Sequence, residues 1–354
     1  MGTTNINYGV SNSSTGAQHR TMLEGWADSK VFQKLLSAYV PSATRLWNHL
    51  PHAWRDAYGR HLHTLVRLRG DRKQFFATFF LRNRPELELI RRIVDQAPRR
   101  SALDLSVLAC SKGAEVYSIL WAIRRARPDI RVRVQALDIS QEIVDFAARG
   151  MYSLRSVDIA NPPEHFGDTE LGNITWNTWR DQGAPIFERM TREEIGEMFE
   201  VKGDDAKVRP FLKEGISWRC ADACDPNLAK TLGLQDIVVA NRFLCHMDPP
   251  AAEKCLRNIA HLVKPGGYLF VSGIDLDVRA RVARDLNWKP VVDLVKEIHE
   301  GDPSLTYGWP WAYWGLEPFT DTRPDWKVRY ASVFQIGDKA VTEAYLTAST
   351  DHAV

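Results

Sequence analysis

The stretch from Leu103 to Ser118, LDLSVLACSKGAEVYS, constrains the fold more than any other part of the chain. Its apolar opening reads as a buried strand, its middle as a tight turn of small residues (Ala109, Cys110, Ser111 and Gly113), and its end as a helix. Small side chains let the backbone approach a ligand, and the N–H groups that open the following helix attract polar or anionic groups. Strand, small turn and helix also occur in any doubly wound sheet, so the turn alone does not identify a ligand.

From Leu103 onward, strand-like segments near 103–108, 132–137, 216–220, 236–240 and 268–273 alternate with helical patterns. This alternation is the signature of βαβ units and a parallel sheet. Right-handed crossovers then give a doubly wound α/β fold, Rossmann-like, with its ligand site at the carboxyl ends of the strands. The strand VRVQAL ends in Asp138, twenty-five positions beyond Gly113, where such sheets place an acid to accept hydrogen bonds from ribose hydroxyls. Lys264-Pro265-Gly266-Gly267 reads as a tight turn between a helix and the strand YLFVSG. Near the end, KVRYASVFQIG and AVTEAYLTAS suggest an antiparallel hairpin at the sheet edge.

Around this sheet the chain divides into further parts. Residues 1–19 read as a disordered tail, and 20–98 as a small N-terminal helical domain with apolar residues at helical spacing, such as Phe32, Leu35, Leu36 and Tyr39. Residues 99–350 make the main domain, whose alternation is interrupted over about 152–213 by an inserted subdomain. Inside that insertion Thr191 and Glu194 have the spacing of a capping box, which predicts a helix starting there.

The composition, 44% hydrophobic and 25% charged with a net charge of +2, is that of a globular protein and argues against a nucleic-acid partner. The five cysteines are odd in number and contain no CxxC pair, which reads as reduced thiols in a cytoplasmic protein. No stretch has the length and apolarity of a signal peptide or membrane span, so no membrane insertion is expected. No His/Cys/Asp cluster has metal-ligand spacing, and no metal is expected. Nothing in the pattern fixes the oligomeric state.

The order of these motifs resembles the class I S-adenosylmethionine-dependent methyltransferases, and among them the CheR type, the chemotaxis receptor glutamate methyltransferases. The resemblance runs from about Lys30 to Ile336. The family's Cys-Ser-Thr-Gly-Glu-Glu-Pro-Tyr-Ser fingerprint after the first strand is matched by Cys110 to Ser118, and its Thr-x-Phe-Phe-Arg element by Thr78 to Arg82. Its Arg-Asn-Val-Leu-Ile-Tyr-Phe-Asp segment corresponds to Asn241 to Asp248. The resemblance implies S-adenosyl-L-methionine as cofactor, held by Thr78, Arg82, Ala109, Cys110, Ser111, Gly113, Glu115, Asp138, Ile139, Asp222, Ala223 and Asn241. In those roles Glu115 would take the ammonium of the methionine part, Asp138 the ribose diol, and the amides around Cys110 to Gly113 the methionine carboxylate.

Four departures from the family pattern bear on the acceptor: Lys112 for threonine, Ala114 for glutamate, Val116 for proline and His246 for tyrosine, with Asn241-Arg242 inverted. They favour a small-molecule acceptor methylated on oxygen, at a carboxylate or hydroxyl. A receptor glutamate, or a cofactor-binding regulator without transferase activity, are the alternatives. His246 and Arg242 are the candidate catalytic residues, His246 as a base for a protonated acceptor and Arg242 as an anchor for a carboxylate. Tyr117, Trp176, Trp179, Trp309, Trp311 and Trp314 are the candidate walls of an aromatic acceptor pocket.

Overall fold

The computed structural model describes residues 78–154, 186–301, 317 and 319–337, together with Tyr39. Helix α1 (Arg84–Asp95) leads into β1 (Ala102–Leu108), α2 (Ala114–Ala126), β2 (Arg131–Asp138) and α3 (Gln141–Arg149). Next come β3 (Met151–Ser153), α4 (Arg192–Met198), β4 (Phe199–Lys202) and β5 (Asp205–Val208). The chain then returns through β6 (Ile216–Cys220), β7 (Gln235–Val239), α5 (Pro249–Ala260) and β8 (Val263–Phe270). Helix α6 (Leu276–Asp285) and the short strands β9 (Lys289–Pro290) and β10 (Val333–Gln335) follow, with further short helices at Pro210–Lys213, Leu228–Leu232, Val295–Glu300 and Trp326–Tyr330.

Seven strands pair in the order β6-β2-β1-β7-β8-β10-β9. The first five are parallel, and β10 runs antiparallel to both β8 and β9. The chain winds outward from β1 through β2 to β6, then crosses to the other side of β1 with β7. Between β1 and β7 the winding direction reverses, which is where doubly wound sheets open a crevice at the carboxyl edge.

The central strands are apolar on both faces because helices cover both. Leu105, Val107, Val134, Ile237 and Val239 face one core, shared with Leu89 and Ile90 of α1 and Val116 and Leu120 of α2. Their alternate neighbours Leu108, Leu137, Val238 and Leu269 face a second, shared with Leu256 and Ile259 of α5 and Val278 and Val282 of α6. At roughly 1.5–3 kcal/mol for each large apolar side chain withdrawn from water, these two layers fix the sheet and so the positions of its strand ends.

The observed strands lie within a few residues of the expected ones, with informative exceptions. The Lys264-Pro265-Gly266-Gly267 segment is part of β8 and not a separate turn. Gly266 has φ +78, and the pairing of β7 with β8 shifts register there, between Gln235 and Ile237, so the segment is a bulge inside a ladder. The expected C-terminal strand KVRYASVFQIG is split: Trp326–Tyr330 is helical and only Val333–Gln335 pairs. The antiparallel partners of β10 are β8 and β9, while AVTEAYLTAS lies outside the described residues. The helix expected from Thr191 is present with its reciprocal capping box. Strands β3, β5 and β4 form a small antiparallel sheet of their own, which the sequence reading did not anticipate. Among the described residues no helix is long and apolar enough to cross a membrane.

Candidate cofactor site

Because β2, β1 and β7 are parallel neighbours, with β6 beside β2, the segments that follow them meet at one edge. These are Ala109–Gly113 after β1, Asp138–Ser140 at the end of β2, Ala221–Ala223 after β6 and Asn241–His246 after β7. The motifs read separately along the sequence are thus brought together by strand order.

The turn after β1 is shaped from within. Ala109 and Ser111 hold φ of 52 and 50, a left-handed conformation that costs a residue with a Cβ about 1–2 kcal/mol. The amide of Cys110 donates to the Leu137 carbonyl at 2.8 Å, that of Ser111 to Asp138 Oδ2 at 2.8 Å, and that of Gly113 to the Cys110 carbonyl at 2.9 Å. These three amides are committed inside the protein, contrary to the expectation that they meet a ligand carboxylate. Helical geometry leaves the N–H groups of the first turn of α2 for that purpose.

Gly113 is needed for a reason other than ligand approach. Its φ is +84, and a Cβ there would stand 3.0 Å from Ala147 Cβ and 3.1 Å from Trp218 Cη2. The glycine lets α2 pack against α3 and β6.

Asp138 is buried at the tip of β2, where it accepts from the Ser111 amide and, through Oδ1, from the Ser140 amide at 3.3 Å. Burial raises its pKa above the usual aspartate range, and the amides of Ser111, Ser140 and Ile139 offset part of that rise. Half-buried Ile139 follows it.

Glu115 sits on the first turn of α2 in a different setting. Its Oε1 accepts from Asn241 Nδ2 at 2.8 Å, and the second hydrogen of the same amide goes to Glu86 Oε1, also at 2.8 Å. Asn241 Oδ1 accepts from the Ser272 amide at 3.0 Å and its hydroxyl at 2.8 Å. Asn241, expected to touch the cofactor, therefore spends its whole amide on holding two carboxyl groups against the end of β8. Burial raises the Glu115 pKa, opposed first by the Asn241 hydrogen bond and then by the charges of Arg82 and Arg242. Glu86, buried at 6% exposure on α1, was not singled out by sequence. Its one local signal, an acid in the first turn of a helix, is explained equally well by the helix dipole.

The remaining residues frame this pair of corners. The Thr78–Arg82 segment docks on α2 through the Leu81 amide, which donates to Ser118 Oγ at 3.0 Å. Thr78 is buried, and the Arg82 guanidinium lies over the Phe79 ring at 5.4 Å, half-buried beside Glu115. Asp222 accepts the Cys224 amide at 2.9 Å, which closes the turn carrying buried Ala223. Arg242 has φ +65, and a Cβ on Gly273 would lie 2.7 Å from its Cα, so Gly273 permits the ends of β7 and β8 to close together. His246 ends a short 3₁₀ turn, Leu244–His246, and is half-buried. Lys112 is half-buried, and burial lowers its pKa.

Tyr117 is not at a pocket wall. It is fully buried, donates its hydroxyl to the Ala147 carbonyl at 2.7 Å and packs its ring 5.7 Å from that of Trp218, because helical spacing turns it to the sheet. Trp176, Trp179, Trp309, Trp311 and Trp314 lie outside the described residues. Among the described residues no group of His, Cys, Asp and Glu could hold a metal ion.

The residues fit S-adenosylmethionine on structural grounds. A half-buried carboxyl with a raised pKa, as at Glu115, gains from a neighbouring cation such as the methionine ammonium, and a second at Asp138 is placed to accept from a diol.

Comparison with known proteins agrees. The CheR methyltransferase SAM-binding domain family matches residues 77–172, and the methyltransferase domain family matches residues 194–271. The chain is 26% identical over 203 residues to the probable biofilm formation methyltransferase WspC of Pseudomonas putida, covering 56% of this chain and 40% of that protein. It is 23% identical over 203 residues to an uncharacterized 104.1 kDa protein of Rhodobacter capsulatus, covering 55% of this chain and 18% of that one. The match thus spans less than half the length of either relative. Among solved structures, the N-methyltransferase NodS from Bradyrhizobium japonicum with S-adenosyl-l-homocysteine matches at 13% identity and a TM-score of 0.31, over 60% of this chain and 78% of that one. Magnesium protoporphyrin IX methyltransferase from Synechocystis with bound SAM matches at 13% identity and a TM-score of 0.30, over 58% and 71%. The two family matches fall on the two halves of one strand edge, and there the chain is similar to class I S-adenosylmethionine-dependent methyltransferases, CheR-like in the turn after β1.

Proposed function

We propose that this protein transfers the methyl group of S-adenosylmethionine to an oxygen of a small-molecule acceptor, a carboxylate or a hydroxyl. The observation that carries the reading is the build of the strand edge. Its cofactor corners keep Glu115 and Asp138, while the departures from the CheR pattern gather at Lys112, Ala114 and His246. The bound cofactor supplies an electrophilic methyl on a sulfonium. Everything else is positioning, which can account for much of the rate of such a displacement.

In this reading Glu115 binds the ammonium, Asp138 the ribose, and the Asp222–Ala223 turn the adenine. Asn241 and Glu86 act behind Glu115 by fixing its orientation. Arg242 anchors an anionic acceptor, and a carboxylate held there needs no base. For a hydroxyl acceptor His246 is the group that can take the proton, on a ring nitrogen.

A second reading, methylation of a protein glutamate, is favoured by the CheR-type match over residues 77–172. Tritiated methyl transfer separates the two. The protein is incubated with labelled S-adenosylmethionine and either a panel of small carboxylates and phenols or receptor-containing membranes. Label in the small-molecule fraction supports the proposal, with base-labile methanol marking a carboxyl ester and base-stable label an ether. Label confined to membrane protein overturns it. Binding of cofactor with no transfer to either would leave a regulator.

A further inference from the structure

Three sulfur atoms meet behind the Asp222–Ala223 turn. Cys224 Sγ lies 3.0 Å from Cys255 Sγ and 3.9 Å from Met247 Sδ. Cys224 stands in the loop after β6, Cys255 on α5, and Met247 directly after His246. The Cys224–Cys255 separation is about 1 Å longer than a disulfide bond of ~2.05 Å, so a small rotation of the side chains would join them. All five cysteines of the chain are reduced in this structure.

The two thiols differ in access. Cys224 is half-buried, whereas Cys255 is 1% exposed and packed in the second core layer. That asymmetry suits a two-step oxidation, in which the accessible sulfur meets the oxidant and the sheltered one resolves the product.

We propose that Cys224 and Cys255 form a peroxide-oxidisable dithiol whose closure weakens cofactor binding. A hydroperoxide is the oxidant. The Cys224 thiolate attacks its O–O bond to give Cys224–SOH and release hydroxide or alkoxide. The Cys255 thiol then displaces the sulfenic oxygen as water and forms the S–S bond. For hydrogen peroxide, two thiols and one peroxide give one disulfide and two waters. The sulfurs are oxidised by two electrons and the peroxide is reduced by two.

The link to the cofactor site rests on the function proposed above and on local hydrogen bonds. Cys255 Sγ donates to the Ala223 carbonyl at 3.6 Å, and the Cys224 amide donates to Asp222 Oδ1 at 2.9 Å. Asn258 Nδ2, also on α5, donates to the Cys224 carbonyl at 3.3 Å. Disulfide formation removes the proton that Cys255 shares with Ala223 and draws Cys224 toward α5. The turn that would bracket adenine is thereby displaced.

The test uses the full chain, folded and reduced, exposed to a small excess of hydrogen peroxide and then alkylated. Peptide mapping without reductant is expected to show a Cys224–Cys255 cross-link, with the alkylatable thiols falling from five to three. In Cys255→Ser the reaction should stop at a sulfenic acid on Cys224, trapped by dimedone. Oxidised wild-type protein should bind S-adenosylhomocysteine roughly tenfold more weakly, about the loss of one hydrogen bond, with recovery on adding dithiothreitol and no change in treated Cys255→Ser. Retention of both thiols, or over-oxidation of Cys224 alone in the wild type, overturns the dithiol. A cross-link that leaves the affinity unchanged overturns its effect on binding. If the reduced protein binds no S-adenosylhomocysteine, the cofactor reading fails by itself, since the cross-link is scored without ligand.

Discussion

The two corners of the cofactor edge are built on opposite plans. At the corner proposed for the ribose, Asp138 is held by backbone amides that lie within a short reach of the β1 and β2 tips, Ser111 and Ser140. At the corner proposed for the methionine part, Glu115 is held by a side chain 126 positions away, and that side chain is shared with Glu86, 155 positions from Asn241. The first corner is a property of two adjacent strands. The second exists only once α1, α2, β7 and β8 have packed together, so its carboxyl groups are tied to the stability of the whole sheet.

This difference predicts unequal responses to substitution. Asn241→Leu should have the largest effect, because it removes the amide that serves Glu115, Glu86 and Ser272 at once and leaves buried polar groups without it. Unfolding by urea should show a loss of about 3 kcal/mol, the sum expected for more than one unsatisfied buried group. A loss below about 1 kcal/mol would mean that the network is not what joins the elements at this corner.

Glu115→Gln keeps a carbonyl for Asn241 but removes the charge. The affinity for S-adenosylhomocysteine should fall by about 30-fold, or ~2 kcal/mol, the size of a hydrogen bond to a charged partner. Stability should change little, which separates this variant from Asn241→Leu. Asp138→Ala should weaken the same ligand by about tenfold, or ~1.4 kcal/mol, since its loss also frees the Ser111 and Ser140 amides to meet water or ligand. Equal affinity in Asp138→Ala and wild type would remove the ribose contact from the account.

The contrast also explains what was legible in the sequence. The parallel strands, the turn after β1 and Asp138 follow from short-range patterns: apolar runs of strand length, small residues and an acid at a strand tip. The helical pattern after the turn placed Glu115 on α2, but no local pattern could reveal that Asn241 turns inward to two carboxyl groups. Nor could spacing show that Tyr117 faces the sheet, although its position one helical turn after Gly113 carries that information once the packing of α2 is known. The splitting of the C-terminal segment into a helix and a short strand reflects tertiary override. Arg329 pairs there with Glu317 and Asp277, at 2.5 Å and 2.7 Å, contacts that no strand propensity contains. Glu86 was invisible for a simpler reason: an acid at a helix start is common.

The most direct test of the central claim is calorimetry of S-adenosylhomocysteine binding over pH 4.5 to 7, in buffers of different ionisation enthalpy. Without ligand, the folded protein holds protons on Glu115 and Asp138 above the ordinary carboxylate range, so these groups favour the fold at low pH and lose that contribution as pH rises through their raised values. An ammonium beside Glu115 favours the ionised form and lowers its pKa. Binding should therefore release protons, and affinity should rise with pH from the ordinary carboxylate range upward until Glu115 is ionised in the unliganded protein as well. Glu115→Gln should abolish most of the proton release while leaving measurable binding. Binding by the wild type without proton exchange, or no binding at all, would contradict the account.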